Sequence, residues 1–341
     1  MKDRATVLVT IVMVVLFCGA WAGAEEPVQD PAAGQKKEAL APQGGRAILS
    51  TENLVIGLET RRFVDSNTSY KFGNPYPPFQ ARLSQLEFPL DSWWVGAGLR
   101  ASFPRFSIGV EALTNASGEA DGRMKDSDWD DGERPDLKTI YSESKCRLLP
   151  SYTLTTDIDL KISDWLRLPS WLDLRPVTGF RWQNFNFLAH DGLQVYPTGE
   201  HPPEPLPGDV LRFEQTYRDY FGGVRAALDL GDHLILKSLT AFLQLDCGYV
   251  EGDNVDHHLL RSGQRYTYED TYGDAWHASV GLLGGLYRQL TLALQADFLQ
   301  ISTTGYHRLV NSTYGIDMQF TNGVKVWSSQ NSVSLTLAYG F

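Results

Sequence analysis

Beyond residue 20 the sequence has no apolar run near the roughly 18 residues that a spanning helix needs. A membrane protein of this kind can cross only as a closed barrel of strands, because open sheet edges cannot face hydrocarbon. Cysteine is scarce, with Cys18, Cys146 and Cys247 the three in 341 residues. So few make no disulfide framework. The seven histidines are scattered, without neighbouring cysteine pairs or a His-Glu-x-x-His run, which speaks against structural zinc. Positive charge is in deficit, 30 Lys and Arg against 41 Asp and Glu, and that excludes nucleic acid as a partner.

The N-terminus has the pattern of an export signal. Lys2 and Arg4 precede an almost wholly apolar stretch, 5–20. Ala22-Gly23-Ala24 then offers small residues for cleavage before Glu25. Residues 1–24 read as a signal peptide. Its loss, with Lys2, Asp3 and Arg4, takes the net charge from −11 to −12. Residues 25–48 are rich in Pro, Gly, Gln, Ala and charge, and read as a disordered periplasmic tail. Residues 49–341 then form one domain.

That domain is written in strands. Val333-Ser334-Leu335-Thr336-Leu337-Ala338-Tyr339-Gly340-Phe341 sets an apolar residue at every odd position. Such a strand has one greasy face and one modest face. A wall that meets lipid on its outside needs that pattern. It recurs in Phe106, Ile108, Val110 and Ala112, and again in Leu239, Ala241, Leu243, Leu245, Cys247 and Tyr249. Ten strands are expected, near 50–63, 81–103, 105–115, 149–162, 171–187, 210–230, 234–251, 265–286, from 290, and 314–341. Short turns near Pro104, Pro169, Asp232 and Arg288 alternate with longer loops at 121–145, 189–208 and 252–264. The fold class is all-β: a ten-stranded antiparallel transmembrane β-barrel, up-and-down, with a narrow lumen and a tall extracellular part. The short turns are then periplasmic, while Asp128, Pro202, Asp256 and His307 are external.

Two external stretches carry candidate chemistry. Asp126 and Asp128 are two apart, so both carboxylates face one way in an extended segment. Asp256 and His258 have the same spacing. An Asp beside a His orients the ring and steadies its charged form, leaving the other ring nitrogen to take a proton from water. A carboxylate pair, sharing repulsion, holds one proton or positions that water. A solvated acidic loop or a weak calcium site would account for the aspartates equally well. The acidic balance favours cationic ligands through its summed field.

The chain resembles the omptins, outer-membrane aspartyl-type proteases of Gram-negative bacteria. The resemblance runs over about 50–341. It is carried by Leu83-Ser84-Gln85-Leu86-Glu87-Phe88, Phe106-Ser107-Ile108-Gly109, Asp126-Ser127-Asp128-Trp129, Pro135-Asp136, Val250-Glu251, Asp256-His257-His258 and Arg265-Tyr266-Thr267-Tyr268. It implies an endopeptidase of the bacterial outer membrane, a monomer without cofactor, whose site faces the cell exterior. Asp126, Asp128, Asp256 and His258 would flank an attacking water, and peptides or proteins would be the substrates. The family's acidic specificity positions fall at Tyr70 and Asn254, so Asp253, Glu111 or Glu269 would have to stand in. Its clamp for lipopolysaccharide phosphates falls at Phe180, Trp182, Asn184, Thr216 and Gly273, none of them the Arg or Lys that phosphate wants. Contact with outer-membrane lipid would need other groups. The rival readings are an inactive omptin-like barrel acting in adhesion or binding, a lipid-modifying enzyme using Ser127, and a small porin.

Overall fold

The computed structural model describes residues 54–74, 80–231, 236–261, 263 and 265–341. The expected signal peptide, the tail and the turn at Asp232-His233 lie outside the described residues. Fourteen strands are assigned among those described. They are β1 (Leu54–Phe63), β2 (Asn67–Asn74), β3 (Gln80–Pro89), β4 (Trp93–Ser102), β5 (Phe106–Asn115), β6 (Met124–Asp128), β7 (Ile140–Leu148), β8 (Tyr152–Leu160), β9 (Leu172–Val195), β10 (Glu204–Gly231), β11 (Ser238–His258), β12 (Arg265–Tyr287), β13 (Leu290–Asn311) and β14 (Ile316–Gly340).

All pairings are antiparallel, and they make a ring of ten strands at each of two levels. At the lower level β1, β4, β5 and β8 join β9 to β14, and β14 pairs with β1. At the upper level β2, β3, β6 and β7 take those four places, between β14 and β9. Of the first four expected strands, 81–103 is therefore broken into β3 and β4, and the other three stop at the lower level as β1, β5 and β8; β2, β6 and most of β7 lie in stretches expected as loops, whereas β9 to β14 run through both levels. Side chains satisfy the backbone at the breaks. Asp91 accepts from the Asp65 and Ser66 amides at 3.0 and 2.7 Å. Asn115 accepts from the Ser151 amide at 2.9 Å and donates to the Leu148 carbonyl at 3.0 Å.

Three expected loops are shorter than their polarity suggests. The 121–145 stretch contains β6 and most of β7, which leaves 129–139 as the loop. β11 runs on to His258, so Asp256 and His258 sit on a strand end. β9 and β10 reach to Val195 and Glu204. In β6, β7 and β11 polar residues face the interior of the ring, and an inward polar face looks like a loop in sequence.

The lower level carries the greasy outer face. Leu58, Val95, Ile108, Val110, Ile158, Leu243, Val280, Leu282, Leu294, Val333, Leu335 and Leu337 are exposed. Exposed aromatics gather at its two limits, with Trp93, Tyr152, Tyr220, Tyr249 and Tyr272 above, and Phe103, Trp165, Trp171, Tyr287 and Phe341 below. An apolar band between aromatic girdles is the surface a bilayer requires. Inside this level the side chains are charged and paired. Asp159 meets Arg100, Arg175 and Arg225 at 2.9, 2.8 and 2.7 Å. Arg181 bridges Asp219 and Asp246 at 2.7 Å each. Higher up the interior turns aromatic. Phe88 stacks on Phe213 at 4.5 Å, Phe187 lies 5.0 Å from Phe88, and Trp94 meets Phe185 edge-on at 5.9 Å.

Gly248 makes room for one of these ion pairs. A Cβ there would stand 1.9 Å from the Asp219 carboxylate. Gly248→Val should displace Asp219 from Arg181 and lower the unfolding free energy by about 3 kcal/mol, the cost of stranding a buried charge. Gly222, where a Cβ meets nothing within 4 Å, is the control, and Gly222→Val should cost less than about 1 kcal/mol. Urea unfolding of the two variants in detergent checks the difference.

Candidate active site

The upper end of β11 points Asp256 and His258 into the ring and His257 out of it. His257 stacks on Tyr266 of β12 with ring centroids 4.1 Å apart. Asp256 is fully buried, and its Oδ2 lies 3.1 Å from His258 Nε2. The same oxygen accepts a hydrogen bond from the Tyr70 hydroxyl, which reaches across the ring from β2. Tyr70 is held flat against Phe213 of β10, centroids 5.2 Å apart. Burial would raise the Asp256 carboxyl, yet the charge and hydrogen bond of His258, with Tyr70's, hold it below the usual carboxylate range. Burial and the Asp256 charge push Tyr70 well above the usual phenol range, so it stays a donor.

Register brings the second carboxylate pair to the same place. Tyr70 pairs with Leu86 on β3, and Leu86 with Asp126 on β6. Directly paired residues share a face of the sheet. Tyr70 faces inward, and Asp126 therefore does too. Burial pushes the Asp126 carboxyl up to about 7, and the neighbouring Asp128 adds to the rise. The charge of His258 opposes it, Asp256 reinforces it, and Arg261 opposes it more weakly. All four acid and base groups thus act on one another at the upper rim. Asp126 Oδ1 and Asp256 Oδ1 are buried and have no hydrogen-bond partner in the protein. Each pair so presents one acceptor oxygen to a small polar guest.

The β6 end is fixed by the residues after it. The Trp129 amide donates to the Leu83 carbonyl at 2.8 Å, and the Thr139 amide to the Asp128 carbonyl at 2.9 Å. The Trp129 ring lies beneath the Arg82 guanidinium at 3.8 Å, with the Lys138 ammonium 5.5 Å away. Arg261 stands 3.8 Å from Asp128 at the outer edge.

Of the three acidic stand-ins, only Glu269 lies near this group. Asp253 faces outward and is ion-paired with Arg218. Glu111 is down in the lower level, 2.9 Å from Arg61. Neither reaches Asp256, so both drop out as substrate groups. Strand parity separates Asp253 from Asp256, and β5 ends below the level of the site. Glu269 is buried and bonded to His307 at 3.0 Å. Ser127 is buried on the face opposite to the aspartates. At the former clamp positions Asn184 donates to Thr216 at 2.9 Å, and Phe180 packs on Tyr220 at 5.2 Å. Tyr70 as the partner of Asp256, Arg261 and the Glu269–His307 pair were missed in sequence. The alternation of Thr68, Tyr70 and Phe72 was the available signal for the first of these.

The Omptin family model matches residues 79–341. No curated protein matches the chain in sequence. Among solved structures it is similar to the outer membrane protease OmpT from Escherichia coli. The TM-score is 0.73 at 15% identity, over 85% of this chain and 98% of that one. The translocator domain of the autotransporter NalP from Neisseria meningitidis aligns at TM-score 0.35 and 9% identity, over 86% and 91%. The family match spans most of the ring and both aspartate-bearing strands, and the chain belongs to the Omptin family.

Proposed function

We propose that this protein is an outer-membrane endopeptidase, a ten-stranded closed barrel whose upper level stands outside the bilayer and holds the site toward the cell exterior. The observation that carries the reading is the sharing of Asp256 Oδ2 by His258 and Tyr70, with Asp126 in their common field. Asp256 takes the Nε2 proton of His258 as its hydrogen bond, which leaves Nδ1 as the base. A water held between Asp126 and His258 attacks the carbonyl carbon of the scissile bond. Its proton passes to His258 Nδ1 as the oxygen–carbon bond forms. The carbon–nitrogen bond then breaks, and His258 returns the proton to the leaving nitrogen. Asp126 must be ionised to accept the water's second proton in a hydrogen bond. Asp256 steadies the imidazolium throughout, and Tyr70 fixes Asp256 from the other side.

His258→Ala should lower kcat/KM for peptide cleavage by at least about a hundredfold, because it removes the base from a coupled site. His257→Ala should change it by less than about fivefold, since that ring lies outside on Tyr266. Equal effects would mean that the wrong histidine carries the reaction. Folded protein that binds peptides and cuts none would favour the adhesion or binding reading.

Cleavage should rise with pH through about 7 as Asp126 ionises. Stability should move the other way. A carboxyl raised in the folded state contributes stability that is present below its unfolded value and is lost as pH rises through about 7. Asp126→Asn should therefore abolish cleavage yet raise the unfolding free energy by about 2–4 kcal/mol at pH 8, with little gain at pH 4. Unfolding curves at the two pH values, beside a pH–rate profile, decide it.

A further inference from the structure

Attack by water leaves a negative charge on the scissile carbonyl oxygen, and no group in the hydrolytic steps receives it. Ionised Asp126 and Asp256 would repel that charge. The Tyr70 hydroxyl and His258 Nε2 are both taken by Asp256. Of the cations at the upper rim, Arg82 lies on the Trp129 ring, and Arg261 stands 3.8 Å from Asp128. Arg265 is placed differently. It opens β12 directly opposite His258, so it shares the inward face with that ring. Residues paired in this way have Cβ atoms about 4.5–5.5 Å apart, well within the reach of an arginine. On its other side Arg265 pairs with Asn311, which is buried. Arg265 Nε is itself buried and has no hydrogen-bond partner in the protein. A guanidinium does not shed its proton, so a buried Nε–H without an acceptor calls for an anion. Besides burial, the larger influence at both, the charge of Arg265 acts on Asp256 of β11 and on Asp130 just past β6. Arg265 thus stands within range of both walls of the cleft.

We infer that Arg265 is a further catalytic residue, the cation that receives the oxyanion of the tetrahedral intermediate. The inference rests on the endopeptidase reading. As the water oxygen bonds to the carbonyl carbon, the π pair moves onto the carbonyl oxygen and the water's proton goes to His258 Nδ1. The Arg265 guanidinium donates to that oxygen through Nε–H. When the pair returns to re-form the carbonyl, the carbon–nitrogen bond breaks, and His258 delivers the proton to nitrogen. Arg265 loses no proton at any stage. A planar carbonyl oxygen carries little charge and gains little from the contact. The stabilisation is therefore concentrated in the transition state and the intermediate, where it speeds the reaction. Arg265 also repels the imidazolium beside it, and the Asp256 carboxylate against the same ring offsets that repulsion.

The test uses the full-length protein in detergent, checked for folding by its heat-dependent mobility on gels. Two uncleavable forms of one peptide substrate are compared in binding. One has a hydroxyethylene group at the scissile bond, which is tetrahedral and neutral, and the other a phosphinic group, which is tetrahedral and anionic. Native protein should bind the phosphinic form more tightly by at least about tenfold. Arg265→Gln should lower kcat/KM for the cleavable peptide by about a hundredfold to a thousandfold, mostly in kcat. It should weaken the phosphinic form by at least about tenfold and the hydroxyethylene form by less than about threefold. Arg265→Lys keeps the charge without the Nε donor and should fall between native and Arg265→Gln. Arg308→Gln removes a cation paired with Asp317 outside the ring, and as the control for net charge it should leave all three measurements unchanged. Unchanged cleavage in folded Arg265→Gln, or equal losses for the two uncleavable forms, overturns the inference and leaves the protease standing. Native protein that cuts the peptide yet binds the two forms alike overturns it too, and that measurement needs no variant. Folded native protein that cuts nothing overturns the endopeptidase reading and this inference with it.

Discussion

Asp256 is a charged group with no access to water, and the upper level is organised around that fact. A lone buried carboxylate would cost several kcal/mol and would take up a proton instead. Here His258 and Tyr70 meet one of its oxygens from opposite sides of the ring. The Tyr70 bond is also a strut, because it joins β2 to β11 through the interior rather than along the sheet. Phe213 backs Tyr70, Phe88 backs Phe213, and the aromatic layer follows from that stack. The geometry of the acid and base groups is thus set by packing that lies below them.

Asp126 shows the converse. The charges of His258 and Arg261 only partly offset its burial, and its neighbours Asp128 and Asp256 add to the rise. A carboxyl held near 7 is poorly placed for stability and well placed for proton work at neutral pH. The two carboxylates at the rim therefore play unlike parts, one fixed as an anion and the other poised between states. Chemically identical side chains are set apart by what surrounds them.

The lower level was legible in sequence because lipid is an undemanding judge. It asks for a greasy residue at every second position, and Val333 to Phe341 and Leu239 to Tyr249 meet that demand without interruption. The upper level was not legible in the same way. There both faces of a strand can be polar, so β6, β7 and the end of β11 resembled loops. The junctions between β1 and β2, between β3 and β4 and between β7 and β8 were hidden for a different reason. They depend on Asp91 and Asn115 meeting backbone amides from distant parts of the chain, Ser66 and Ser151 among them. Of the site, the two-residue spacing put Asp126 with Asp128 and Asp256 with His258, and the family resemblance tied the two pairs together. Spacing alone could not say that Tyr70 would bond to Asp256, since that contact spans 186 residues of sequence.

The ring is also a statement about assembly. β14 is the one strand that meets both β1 below and β2 above. Val55 lies opposite Gly340, and Phe72 opposite Val324. Both seams therefore shut along a single strand. Without it, the ring would expose two rows of unanswered amides and carbonyls, an edge that hydrocarbon does not tolerate. Such a protein has no stable half-made form. A truncation of β14 would open the wall at both levels together.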